Sequence, residues 1–313
     1  MTVPITGVPL SEHAAVYAAL RGAGFTDIWS SEVAGADGFT PLALAAAWEP
    51  ELRLGTAIAP VFTRGPGLLA MTAAALADAA PGRFVLGIGA SSPVVVGDWN
   101  GIPFEEPFAR TRDMLAFLQP ALRGELVDEA YDTFAVRRFR LERPPVTPPP
   151  ILLAALRPGM LRLAGERADG VILNWLAAGD VARCLDAIGE RPEGFEVAAR
   201  IFLCPTEDAD VARTVGRRLI TSYLTVPAYA AFHRWLGNAD ELAPMWDAWA
   251  AGDRKGALAA IPDAVVDRLV LHGSPSDVVE QVRRYVDAGV HTPILAPVLL
   301  PGMDPGVLTA LGG

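Results

Sequence analysis

Four short stretches of the chain combine residue types that can hold or orient a ligand. Glu32 follows Trp29-Ser30-Ser31 and offers a carboxylate just past a β-type run. Gly87-Ile88-Gly89-Ala90-Ser91 carries two glycines that let a flat ligand approach the backbone. It lacks the remaining glycine spacing of a dinucleotide fingerprint. In Arg157-Pro158-Gly159-Met160 the proline suits the first position of a helix, whose free N–H groups and the adjacent guanidinium would together bind a phosphate. Asn174-Trp175 offers an amide and a stacking ring. Each stretch also has a plain structural reading. These are a solvated loop charge or helix-cap partner for Glu32, crowding relief for the glycines, an ordinary turn with a surface arginine, and a buried Asn–Trp corner.

These residues sit at the C-terminal ends of predicted strands. Runs rich in β-branched residues cover Val3–Val8, Asp27–Ser30, Arg53–Ala59, Phe84–Gly89, Ile151–Ala155, Gly170–Asn174, Val197–Cys204 and Pro293–Val298. Alanine-rich amphipathic segments alternate with them, as in parallel strands joined by helices. Eight such strands close a (β/α)8 TIM barrel, whose active sites lie at the C-terminal strand ends. Ser274-Pro275-Ser276-Asp277 starts one helix, with Val278, Val279, Val282, Tyr285 and Val286 on one face and Gly289 at its end. Phe108, Thr111, Leu115, Leu118 and Leu122 mark another. Ser11 is placed to cap the first helix, which Gly22 and Gly24 close.

Three segments interrupt the alternation: Ser91–Glu106, Gly124–Pro150 and the helical Thr206–Asp267 with Trp235, Trp246 and Trp249. The insertions after strands four and seven are expected to wall a pocket. Trp99 and Asn100, beside Asp98, are candidates for its substrate rim, and a hydrophobic loop anchor is the other role open to Trp99.

Of the residues, 51% are hydrophobic and 20% charged, enough apolar material for a large core. One barrel domain over residues 1–313 is expected, with a helical insertion at about 206–267. The formal net charge is −10 and the basic residues are scattered, which argues against nucleic acid as a partner. No apolar stretch reaches the length of a membrane span, and residues 1–20 lack the basic and apolar regions of a secretory signal. The cytoplasm is the expected location. Cys184 and Cys204 lie in unrelated contexts, so neither a disulfide framework nor a metal site is signalled.

Longer words carry a family resemblance. They are Gly24-Phe25-Thr26-Asp27-Ile28-Trp29 with Glu32, Leu54-Gly55-Thr56-Ala57-Ile58, Pro81-Gly82-Arg83-Phe84-Val85-Leu86-Gly87-Ile88-Gly89, Pro107-Phe108-Ala109-Arg110-Thr111-Arg112, Leu161 to Val171, and Tyr285-Val286-Asp287-Ala288-Gly289-Val290. In this order the chain resembles the luciferase-like monooxygenase superfamily, in its coenzyme F420-dependent branch, and is similar to the methylene-tetrahydromethanopterin reductases. The resemblance implies a (β/α)8 barrel with a region inserted after strand seven and a deazaflavin or flavin ring over the strand ends. It also implies a non-prolyl cis bond, Ala57–Ile58, in a bulge against one ring face. The cofactor contacts expected are Glu32, Ala57, Ile58, Ala90, Ser91, Ala155, Arg157, Gly159, Met160 and Asn174. Relatives often have glycine where this chain has Arg157, and often a histidine beside the ring. His13, His233, His272 and His291 all fall outside the matching words, so no catalytic residue is assigned, and His272, ahead of a capped helix, reads as structural.

The resemblance implies hydride transfer between F420 and a small organic substrate, by a protein that could form a homodimer. An FMN-dependent monooxygenase and a cofactor-binding barrel without turnover are the alternatives.

Overall fold

The computed structural model describes residues 1–312, which divide into two compact units. The first comprises Met1–Ala155, Leu163–Ile172 and Glu190–Glu196. Its elements are β1 (Thr2–Val3), α1 (His13–Gly22), β2 (Asp27–Ser30), α2 (Thr40–Trp48), β3 (Arg53–Thr56), β4 (Ala59–Pro60), α3 (Pro66–Ala79), β5 (Phe84–Gly89), α4 (Pro107–Leu122), a hairpin β6 (Val127–Ala130) and β7 (Ala135–Phe139), and β8 (Ile151–Ala154). Of the next two elements, α5 (Pro158–Arg167) starts in the second unit and ends in the first, and β9 (Gly170–Asn174) starts in the first and ends in the second. Strands β1, β2, β3, β5, β8 and β9 lie side by side in that order, all parallel. All six residues of β5 are buried, as a parallel strand covered on both faces requires.

Glycines set the spacing within this sheet. A Cβ on Gly55 would lie 2.2 Å from the Trp29 ring, and one on Gly170 would lie 2.4 Å from the Glu196 carbonyl oxygen. Side chains on neighbouring strands occupy the space the glycines leave open. At the other edge of the strands, Arg53 bridges Asp27 and Glu196.

Three expectations change here. Strand one ends at Val3, not Val8: only Thr2 and Val3 pair with β2, and Gly7 turns the chain with a φ of +84°. Ser11 caps nothing: it lies within a 3₁₀ turn, Leu10–Glu12, and Glu12 precedes α1. The predicted third strand is two pieces, β3 and β4, separated at Ala57–Ile58. The 124–150 segment also holds the hairpin, which the sequence reading left without structure.

The second unit comprises Leu156–Arg162, Leu173–Gly189 and Val197–Gly313. It contains α6 (Val181–Ile188), β10 (Glu196–Leu203), α7 (Ala209–Leu224), α8 (Pro227–Leu236), α9 (Ala239–Ala250), α10 (Arg254–Ala259), α11 (Asp263–Leu269), β11 (Val270–Leu271), α12 (Pro275–Asp287) and β12 (Thr292–Pro297). β10 pairs in parallel with both β11 and β12. The helical 206–267 segment is α7 to α11, and it builds a core with Trp175, Phe202, Ile220, Leu242, Met245 and Val266. Gly216 of α7 lies against Val266, where a Cβ would approach to 2.3 Å.

The α12 signal reads correctly at its start. The Ser274 hydroxyl accepts from the Asp277 N–H and the Asp277 carboxylate accepts from the Ser274 N–H, a reciprocal capping box. Val278 and Tyr285 face inward, but Val286 is 47% exposed, so the buried stripe is narrower than predicted.

Candidate functional site

In the first unit the predicted residues cluster where β2, β3 and β5 end. The ladder pairs Gly55 with Val85 and, farther on, Ala59 with Ile88. Four residues on one strand thus span three on the other, which defines a β-bulge. The Ala57–Ile58 bond inside it is cis, as the resemblance implies. Backbone bonds tie the bulge to the end of β2: Ala57 N–H donates to the Ser30 carbonyl at 2.6 Å, and Glu32 N–H to the Ile58 carbonyl at 3.4 Å. Thr56 replaces the interrupted ladder, its hydroxyl donating to the Gly87 carbonyl and accepting from the Gly87 N–H, both at 2.8 Å. A Cβ on Gly87 would fall 1.9 Å from the Thr56 carbonyl oxygen, and one on Gly89 2.9 Å from Ala154 Cβ.

Glu32 is half-buried and already engaged. Arg64 Nε donates to its carboxylate at 3.0 and 3.2 Å, the Arg64 terminal nitrogen donates as well, and Gly38 N–H adds a bond at 3.0 Å. The Arg64 guanidinium lies 4.6 Å over the Phe39 ring. Glu32 therefore closes the loop that leads to α2, with Arg64 as its partner. Ala90 and Ser91 follow β5, and Ser91 adopts a left-handed φ of +66°, a conformation that costs a non-glycine residue about 1–3 kcal/mol. Ala155 continues β8, its N–H donating to the Ile172 carbonyl at 3.2 Å. Trp99 is 53% exposed, so it does not anchor its loop. Asn100 gives its amide to the Val95 carbonyl at 2.7 Å and closes the turn beside it.

In the second unit α5 begins at Pro158, as the turn chemistry predicts, and Leu161 N–H donates to the Arg157 carbonyl at 2.9 Å. The N–H groups of Gly159 and Met160 belong to the first turn, which has no preceding helical carbonyls. Arg157 and Gly159 are exposed. Asn174 donates its amide to the Tyr229 hydroxyl at 2.9 Å, and its own Oδ1 is buried without a hydrogen-bond partner. Trp175 has a left-handed φ of +54° and is buried, stacked on Phe202 at 4.1 Å between centroids. It is the buried corner of the plain structural reading, not a free stacking ring.

Arg200 was missed. It stands in β10 between Val197-Ala198-Ala199 and Ile201-Phe202-Leu203, all buried, while its own side chain is only part-buried. A charged residue inside an apolar strand run was the available signal. Its guanidinium lies 4.9 Å over the Phe202 ring, and its Nε is buried without a hydrogen-bond partner. Burial pushes the Tyr229 phenol up to about 12, against the opposing pull of Arg200.

The histidines have structural places. His13 accepts from Ile5 N–H and donates to the Pro9 carbonyl, both at 2.9 Å. His272 meets Asp267 at 3.0 Å, and His291 accepts from Val197 N–H. His233 is fully buried, and that burial lowers its pKa to about 4. Cys184 and Cys204 are buried free thiols, and burial raises Cys184 to about 12, far from a reactive thiolate. Among the described residues no group of three or more His, Cys, Asp or Glu side chains is placed to hold a metal ion, and no helix is long and apolar enough to cross a membrane.

A Mycobacterium tuberculosis protein whose name assigns it provisionally as a coenzyme F420-dependent oxidoreductase is 29% identical over 90% of this chain and 89% of its own. The 5,10-methylenetetrahydromethanopterin reductase of Archaeoglobus fulgidus is 26% identical over 76% of this chain and 75% of its own. The solved coenzyme F420-dependent tetrahydromethanopterin reductase of Methanopyrus kandleri superposes with a TM-score of 0.78 at 19% identity, covering 99% and 96% of the two chains. That likeness places the chain in the (β/α)8 TIM-barrel fold class. The bulged third strand, the glycine-spaced fifth strand and the helix opening at Pro158 all fall within residues 3–292, the span matched by the family model described as luciferase-like monooxygenase, and the chain belongs to that family of enzymes.

Proposed function

We propose that the chain is an oxidoreductase that binds the deazaflavin coenzyme F420 and uses it in hydride transfer with a small organic substrate. The observation that carries this reading is the start of α5. Two first-turn amides, on Gly159 and Met160, follow an exposed Arg157, a donor set suited to the phosphate of such a cofactor. The Mycobacterium tuberculosis relative named for F420 supports the same choice.

Each unit, taken by itself, offers residues suited to that group. In the first unit the ring contacts are assigned to Glu32, Ala57, Ile58, Ala90, Ser91 and Ala155. The Glu32 carboxylate acts there through the loop it holds with Arg64. In the second unit Gly159, Met160 and Arg157 take phosphate, and the unpaired Asn174 Oδ1 accepts from a ligand N–H or O–H. Once bound, the coenzyme supplies the hydride-carrying chemistry, and the chain supplies binding, orientation and exclusion of water. Trp99 and Asn100 are assigned to the substrate rim, Trp99 as an exposed apolar surface.

A titration of oxidised F420 against FMN, followed on tryptophan fluorescence, tests the reading. F420 should bind more tightly, and FMN binding tighter by tenfold, about 1.4 kcal/mol, would reject it in favour of a flavin monooxygenase. Arg157→Ala should weaken F420 by about 10–150-fold at low salt, the worth of a charged hydrogen bond, and by less at high salt. Unchanged binding in Arg157→Ala, with loss on replacing Gly159 by a bulky residue, would leave the helix end to hold the phosphate alone.

A further inference from the structure

We propose that Arg200 and Tyr229 form a carboxylate-binding site in the second unit, which takes an apolar or aromatic monocarboxylate. That the carboxylate belongs to the substrate rests on the oxidoreductase reading; the binding itself does not.

The starting point is a charge without a protein counter-ion. Arg200 carries no side-chain hydrogen bond or ion pair among the described residues, and its Nε is shielded from solvent. The other part-buried arginines of the second unit behave differently. Arg213 binds Asp267 at 2.8 Å, and Arg217 and Arg268 bind Asp263 and Glu241. The Arg200 Nε is cut off from water, and a buried donor of this kind costs free energy unless an acceptor faces it. Here the fold supplies the face of Phe202, which holds the guanidinium but accepts nothing in its plane.

The surroundings define the anion. Rings lead from Arg200 to Tyr229 through Phe202 and Tyr223, with centroid separations of 5.8 Å (Phe202–Tyr223) and 5.9 Å (Tyr223–Tyr229). Arg200 is also close enough to Tyr229 to act on the ionisation of its phenol. The Tyr229 oxygen already accepts from Asn174 and leaves its proton for an outside acceptor. Phe202 and Tyr223 add rings beside them and Asn174 spends its amide on Tyr229, so one positive charge and one hydroxyl donor meet a ligand that is otherwise apolar. A planar guanidinium fork matches a planar carboxylate, and one formal charge balances a monoanion but leaves a phosphate dianion uncompensated.

Isothermal titration on the F420-loaded and the cofactor-free protein tests this, with benzoate and hexanoate as probes, benzamide as the neutral analogue of benzoate and inorganic phosphate as the competing anion. At least one carboxylate should bind at millimolar concentration or below. Benzamide should bind about 10–150-fold more weakly than benzoate, the ratio that a charged hydrogen bond sets, and phosphate should not displace either probe. Arg200→Met should abolish carboxylate binding, and Tyr229→Phe should weaken it several-fold, with near-ultraviolet circular dichroism and the F420 titration unchanged in both. Failure of both carboxylates to bind, equal binding of benzoate and benzamide, displacement by phosphate, or carboxylate binding retained in Arg200→Met would each overturn the proposal. Loss of F420 binding in Arg200→Met would also overturn it, by giving the guanidinium to the cofactor. If Arg200→Met does not fold, Tyr229→Phe and the benzoate-to-benzamide ratio on the parent protein decide. Should FMN prove to be the cofactor, the F420 reading fails while the carboxylate result stands.

Discussion

Around the bulge of β3 the polar side chains find their partners inside the first unit, whereas Asn174 and Arg200 of the second unit each keep a buried polar atom without one. Thr56 spends its hydroxyl twice on Gly87, and Glu32 is held by Arg64 and Gly38. By contrast, Asn174 Oδ1, Trp175 Nε1 and Arg200 Nε are all buried without partners. The first unit has two such atoms, Thr2 Oγ1 and Trp29 Nε1, and neither carries charge. Buried polar groups in native proteins are nearly always paired, so a closed network reads as scaffold and an open one as a place where a ligand completes the bonding. The bulged strand ends are thus the more closed network, and Asn174 of β9 and Arg200 of β10 carry polar atoms left without a partner.

The strongest way to break this contrast is Gly87→Ala. The added methyl would sit 1.9 Å from the Thr56 carbonyl oxygen and 2.5 Å from Ile172 Cδ1. Backbone cannot yield as a flexible side chain can, so the variant should lose about 3 kcal/mol or more, measured by urea unfolding. A loss below about 1 kcal/mol would mean that the strand ends are not rigid.

Next comes the pH dependence of the open region. Burial holds folded His233 at about 4 against an ordinary 6.5. Between those values the unfolded chain binds a proton that the folded chain refuses, so stability falls as pH drops through the window. At about 1.4 kcal/mol per unit, the loss is at most about 3.5 kcal/mol, and it levels off only below pH 4. Urea midpoints from pH 7 to 4 would show the slope, and His233→Gln should flatten it; an unchanged slope in that variant would place the effect elsewhere.

A smaller effect is expected from Thr56→Val, which keeps the shape and removes both bonds to Gly87. Leaving a buried N–H and carbonyl unpaired should cost about 1–3 kcal/mol. Comparison with Asn174→Leu sharpens the contrast: a group that already lacks one partner has less to lose, so its destabilisation should be the smaller of the two.

Much of the frame was legible because it depends on local signals. Hydrophobic runs located most of the strands, Ser274 and Asp277 announced α12, and Pro158 announced α5. Strand one was overextended because its β-branched run continues past Val3, while only Thr2 and Val3 pair with β2. β11 escaped notice because two residues, Val270 and Leu271, carry no periodicity and become a strand only by pairing with β10. Val286 lies on the apolar stripe of its helix yet faces outward, since burial depends on what packs against the helix.

By itself the sequence determined the β/α alternation, the family and the chemistry on offer at the strand ends, because these follow from residue type and short-range spacing. Only the tertiary structure decided which of those groups are already spent. Glu32 and Arg64 lie 32 residues apart, and Asn174 and Tyr229 lie 55 apart, so nothing in their neighbours says that they meet. Whether a polar atom is satisfied depends on distances of about 3 Å between chain segments remote in sequence, and the fold alone sets those distances.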